Sequence, residues 1–138
     1  MKDSVEMKYL NNMAFEAIVN GHKLYVDSSM ESGGKNLGPR PKALMLLALG
    51  GCTAMDVVSI LRKMKVEFEG LQMIIDGDLT DEHPKKYTNM KVSYVFKGKN
   101  LPYDKIKKAM DLSVEKYCGV SASIKDVIKI EYEILLVD

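Results

Sequence analysis

Thirteen consecutive residues, Ala43 to Met55, carry no charge and hardly a polar atom, and a chain with such a run must hide it from water. Pro41 stands just ahead of it, where a fixed φ and a missing N–H suit the first turn of a helix. From Asp56 to Lys65 the pattern turns amphipathic. Val57, Val58, Ile60, Leu61 and Met64 are apolar, and Asp56, Ser59, Arg62 and Lys63 share the opposite face at helical spacing. The run therefore predicts a central core helix, buried on all sides for half its length and on one side afterwards. A membrane span is the rival reading, and the uncharged run is too short for one.

The rest of the chain must supply what covers that helix. Ser4 to Leu10, Met13 to Val19 and His22 to Asp27 read as a short β-meander, turning at Asn11-Asn12 and Asn20-Gly21. Asn-Gly is the strongest short hairpin signal, because both central residues of a type I′ turn need positive φ. Ser28 to Pro41 has no apolar period and is rich in Gly and Pro, which makes it a loop long enough to be functional. Leu71 to Leu79 and Tyr87 to Lys97 read as strands joined by a polar turn, with Met90, Val92, Tyr94 and Phe96 on one face of the second. Pro102 opens a second helix whose apolar stripe runs Ile106, Ala109, Met110, Ser113, Val114, Tyr117, and Gly119 is placed to stop it with a left-handed cap. A last strand, Val127 to Val137, buries alternate residues from Ile128 to Leu136. The expected fold is α+β in the order βββ-α-ββ-α-β, with a mostly antiparallel sheet around the buried helix. One thin sheet and one amphipathic helix cover an apolar helix half with difficulty, so either the sheet wraps closely around it or, the favoured reading, a second subunit shares the core.

At 138 residues and 15.5 kDa, the chain fits one domain over 1–138. A net charge of +1 offers no electrostatic reason for a nucleic-acid partner. No basic-then-apolar segment opens the sequence, so a cytoplasmic protein without a membrane partner is expected. Two cysteines are too few for a secreted disulfide scaffold.

Chemistry is best sought at those cysteines. Cys52 lies in L-G-G-C-T-A-M-D and Cys118 in K-Y-C-G-V-S. Each alone reads first as a small buried hydrophobe in a packed helix. Gly50-Gly51 beside Cys52 weakens a helix interior and suits a close approach by another backbone or a substrate. The cysteines are 66 positions apart, so any bridge depends on the fold. His22 and His83 fall in hairpin and loop positions, and their spacing to the cysteines fits no zinc module, so no metal and no cofactor are expected. No Ser stands at a glycine-flanked elbow, no Gly-rich stretch has phosphate-cradling spacing, and Lys105 to Lys108 reads as a solvated helix face.

Gly38 to Met64, G-P-R-P-K-A-L-M-L-L-A-L-G-G-C-T-A-M-D-V-V-S-I-L-R-K-M, together with K-Y-C-G-V-S-A-S-I, resembles the OsmC/Ohr family of osmotically inducible and organic-hydroperoxide-resistance proteins. The likeness extends over nearly the whole chain, the element order and the Glu82–Pro84 turn included. It implies an intertwined homodimer with sites at the subunit interface, where a first cysteine attacks a peroxide and a second resolves the sulfenic acid. Carried over, Cys52 is the peroxidatic thiol and Cys118 the resolving one, regenerated by a dithiol such as a lipoylated protein or by a small thiol. The family pairs its reactive cysteine with an N-terminal arginine and a glutamate after the helix-opening proline. Here the only arginines are Arg40 and Arg62, and Lys42 follows Pro41. Arg40 and Lys42 are thus the candidate cations for a Cys52 thiolate, and Asp56, one turn on, opposes ionisation if it faces the same pocket. A second reading is a non-catalytic or redox-sensing dimer that binds an apolar ligand in the interface cleft.

Overall fold

The computed structural model describes all 138 residues and divides them into two compact units, Met1–Met45 and Leu46–Asp138. In the first, Asn20 (φ 52°) and Gly21 (φ 81°) form the expected turn between β2 (Ala14–Val19) and β3 (His22–Val26). β1 (Glu6–Asn11) pairs with β2, giving an antiparallel sheet in the order β1-β2-β3. The first hairpin turns one residue later than expected, on Asn12-Met13, because the register slips between Tyr9 and Asn11. Every residue of β1 is exposed.

The loop after β3 is organised by one buried carboxylate. Asp27 Oδ1 accepts the Ser28 N–H at 2.7 Å, and Oδ2 accepts those of Lys35 and Leu37, each at 3.1 Å. The Leu37 N–H foremost, with those of Ser28 and Lys35 and the charge of Arg40, holds the Asp27 carboxyl below the usual carboxylate range against the opposing effect of burial.

The second unit holds most of α1 (Ala43–Lys63), then β4 (Gly70–Leu79), β5 (Tyr87–Lys97), α2 (Tyr103–Leu112), α3 (Gly119–Ile124) and β6 (Lys129–Val137). Its sheet is ordered β4-β5-β6, antiparallel between β4 and β5 and parallel between β5 and β6. Parallel neighbours cannot be joined by a hairpin, and α2 and α3 make the crossover. Met90, Val92, Tyr94 and Phe96 of β5 are all fully buried, as their alternation predicts, against Leu49, Val57 and Leu61 of α1 and Ile106 and Ala109 of α2 in one core. The chain thus carries two separate three-stranded sheets, not one, and its second helical region has two helices.

Two readings of the helices need correcting. Beyond Leu112, α2 widens into a π turn, Ser113–Tyr117, closed by the Cys118 N–H on the Ser113 carbonyl at 2.8 Å. The extra residue in that turn rotates the helix beyond it, so Tyr117 leaves the apolar stripe and is 53% exposed. Gly119 is no left-handed cap: the break falls at Cys118 (φ −73°, ψ 103°), and Gly119 begins α3. α1 itself is 21 residues long, which by length and apolar composition alone would cross a bilayer. It packs on the sheet through Leu49, Val57 and Leu61, while Leu47 (66% exposed) and Met55 (76%) on other faces stay uncovered within this chain.

Candidate functional site

A residue on a helix shares its face with the one four positions on, and α1 uses this to align Cys52 with Asp56. The crossover from β5 to β6 brings the third member. Cys118 caps the N-terminus of α3, its Sγ accepting the Ser121 N–H at 3.4 Å while Ser121 Oγ donates to the Cys118 carbonyl at 3.1 Å. Cys52 Sγ, a carboxylate oxygen of Asp56 and Cys118 Sγ all lie within 4.8 Å of one another. Both cysteines are free thiols, Cys118 buried and Cys52 partly exposed. Ser113, at the start of the π turn and fully buried, donates its hydroxyl to Asp56 Oδ2 at 2.8 Å.

The electrostatics run against an ionised Cys52. Burial pushes its thiol up, and the adjoining Cys118 and the Asp56 carboxylate push the same way, opposed by the Val120 backbone N–H. The hydroxyls of Tyr94 and Tyr132, both within the influence of Cys118, are buried without hydrogen-bond partners. Burial, with smaller effects from Tyr132, Cys118 and Asp56, raises Tyr94 to about 12, against the lowering influence of the nearby Thr53 hydroxyl. The Thr53 hydroxyl is itself turned back onto its own helix, toward the Leu49 and Gly50 carbonyls at 2.9 and 3.2 Å. A shallow cleft of about 110 Å³, lined by Asp56, Ser59, Ile60, Lys63 and Tyr117, opens beside the group.

The remaining residues singled out from the sequence lie apart from this cluster in role. Arg40 and Lys42 belong to the N-terminal unit. Arg40 is tied into its own loop: Nη2 donates to Asn36 Oδ1 and, at 3.0 Å, to the Gly38 carbonyl, and Nη1 is buried without a partner. Lys42, His22 and His83 are exposed, and neither histidine is among the metal-ligating groups that gather at the cysteines. Gly50 makes room for a side chain, not for a backbone or a substrate, since a Cβ there would stand 2.3 Å from Ile75 Cδ1. Ser113, Thr53, Tyr94 and Tyr132 escaped the sequence reading. Their one signal is a polar atom at a position that periodicity assigns to the core.

The OsmC family, described as OsmC-like protein, matches residues 33–133, a span that contains both cysteines and Asp56. This chain belongs to the OsmC family. Protein YhfA of Escherichia coli K12 is 32% identical over 118 residues, which is 84% of this chain and 85% of that protein. Among solved structures, a hypothetical protein of Aquifex aeolicus VF5 superposes with a TM-score of 0.86 at 26% identity, covering 99% of this chain and 97% of that one. An organic hydroperoxide resistance protein OsmC from Legionella pneumophila shares the fold, with a TM-score of 0.71 at 15% identity over 98% of this chain and 97% of its own. Cys52 and Cys118, the two thiols that the resemblance pairs, have their sulfurs within 4.8 Å of one another. The Asp56 carboxylate stands within the same distance of both.

Proposed function

We propose that this chain, acting over 1–138 as one OsmC-like domain, is a cytoplasmic thiol peroxidase that reduces organic hydroperoxides or hydrogen peroxide. Its family and its structural neighbours named as organic hydroperoxide resistance proteins support a redox role in peroxide resistance. The observation that carries the finer reading is the meeting of two free thiols from distant parts of the chain, one partly exposed and one buried. Cys52 thiolate attacks the peroxide oxygen, the O–O bond breaks, and the alkoxide leaves with a proton as alcohol or water. The resulting sulfenic acid is captured by the Cys118 thiol, releasing water and forming a disulfide. A dithiol, such as a lipoylated protein, then reduces that bond and leaves as its own disulfide.

In this reading the protein is a homodimer. The apolar residues left open on α1, Leu47 and Met55, and on the N-terminal strands, Met7 and Tyr9, are what a second copy would cover. Arg40 or Lys42 of that second copy is the proposed cation to offset Asp56 when Cys52 ionises. Cumene hydroperoxide added at one equivalent should consume both thiols and link Cys52 to Cys118 in a peptide map. The Cys118→Ser protein should stop at a sulfenic acid that dimedone traps. Two free thiols in folded, peroxide-treated protein would remove the reading, and sedimentation as a stable 15.5 kDa monomer would remove the dimer. The second reading, an apolar-ligand binder, is favoured by a cleft of about 630 Å³ in the N-terminal unit, lined by Met7, Met13, Phe15, Val26 and Arg40 among others. It is the one left standing if the thiols ignore peroxide.

A further inference from the structure

Asp56 is an awkward neighbour for a peroxidatic cysteine, because it opposes the thiolate that peroxide chemistry needs. It is a fitting neighbour for a cation. Two sulfurs and a carboxylate oxygen within 4.8 Å of one another are a donor set of the kind that holds zinc, with three protein ligands and an open fourth position. Ideal tetrahedral bonds of about 2.3 Å would set the sulfurs roughly 3.8 Å apart, so the group needs at most a small contraction to close on an ion.

The surroundings are those of an oriented ligand set. Ser113 Oγ donates to Asp56 Oδ2 at 2.8 Å, which fixes the carboxylate while leaving it lone pairs for a metal ion. The Ser121 N–H at 3.4 Å from Cys118 Sγ is the backbone donor that a metal-bound thiolate accepts. Such outer contacts commonly set ligand orientation in metal sites. Of the three groups, Asp56 also borders the open cleft that Ser59 and Tyr117 line. We infer that the reduced chain binds one borderline-soft divalent cation, zinc by its chemistry, through Cys52 Sγ, Cys118 Sγ and a carboxylate oxygen of Asp56. Binding replaces two S–H bonds by two metal–sulfur bonds and releases two protons per ion, with no change of oxidation state. It does not depend on peroxide turnover, although a metal held there would withdraw both thiols from oxidation.

The test uses the fully reduced full-length protein, without oxygen or peroxide, titrated with cobalt(II) and then with zinc(II) in competition. One cobalt per chain should bind, with thiolate-to-cobalt charge-transfer absorption and tetrahedral ligand-field bands, and with release of two protons in weakly buffered solution. Zinc should displace it. Cys52→Ser and Cys118→Ser should each weaken binding by at least about 100-fold, and Asp56→Asn and Ser113→Ala by about 10-fold. Wild-type protein with both thiols alkylated, which carries no substitution, should bind no cobalt with a charge-transfer band. Cobalt binding without that band, binding that survives alkylation, or equal affinity in wild type and Asp56→Asn would each overturn the assignment. A chain that binds metal as described and ignores peroxide would keep this inference while removing the peroxidase.

Discussion

Replacing Tyr94 by Phe should stabilise the protein, contrary to the usual effect of deleting a buried hydroxyl. Tyr94 is fully buried on β5 and its hydroxyl has no hydrogen-bond partner, so folding strips water from that group without full repayment. An unsatisfied buried polar group costs about 1–3 kcal/mol, whereas a satisfied one contributes about 1 kcal/mol. Tyr94→Phe keeps the ring in its packing and should gain on the order of 1 kcal/mol near pH 8. At about 2.1 cal/mol/K per residue of unfolding entropy, that is a rise in Tm of roughly 3–4 °C for a chain of this length. Alkali sharpens the test. The unfolded phenol ionises near pH 10 and the folded one at about 12, so the folded state keeps a proton that the unfolded state loses. Stability from this group is complete below pH 10 and falls as pH rises toward 12, by a total on the order of 2–3 kcal/mol. Urea unfolding followed by circular dichroism at pH 8, 10.5 and 11.5 reads both effects as differences between wild type and variant, which cancels the other alkaline titrations. A variant less stable than wild type at pH 8, or parallel curves above pH 10, would refute the reasoning.

Asp56→Asn should make Cys52 more reactive. A carboxylate within 4.8 Å is worth at least roughly 0.9 kcal/mol even at the dielectric constant of water, so iodoacetamide should alkylate Cys52 at least about fourfold faster at neutral pH, and an unchanged rate would take Asp56 out of the thiol's environment. Asp27→Asn should lower Tm at pH 7. Wild type draws on the depressed Asp27 carboxyl above the ordinary carboxylate range and loses that stability as pH falls through it, so the two melting curves should converge by pH 2–3, and curves that stay separated would contradict the cage of N–H groups. Leu61→Ala, at a fully buried position in the core under α1, should cost about 2–5 kcal/mol in denaturant midpoint without altering the slope.

Much of this architecture is legible in the residues. Alternation from Met90 to Phe96 marks one buried strand face, and Pro41 and Pro102 mark helix starts within two residues. The Asn20-Gly21 hairpin is equally plain, because only positive-φ residues make that turn. The second helical region misleads for a definite reason. A period of 3.6 carried through Ser113 and Val114 puts Tyr117 inside, and one additional residue in a single turn moves it out. Nothing in local propensity records where such a turn falls. The same limit applies to the site. Family resemblance pairs Cys52 with Cys118, and helical spacing puts Asp56 beside Cys52. That Ser113 reaches Asp56 depends on the parallel placement of β6 and the crossover that it requires. Tyr94 and Tyr132 hide in strands where an aromatic ring alone would satisfy the pattern, and their hydroxyls become conspicuous only when hydrogen bonds are counted.

The distance along the chain between the two thiols has a consequence for chain entropy. They meet in space but are 66 positions apart, and the segment between them carries β4, β5 and α2. A covalent bond there would close a loop over about half of the polypeptide and remove on the order of 4 kcal/mol of freedom from the unfolded ensemble at 25 °C. That is comparable to the whole net stability of many small domains. Oxidised chains would therefore open far less often than reduced ones and outlast them under proteolysis, so lifetime in a protease digest would report the redox state of two sulfur atoms.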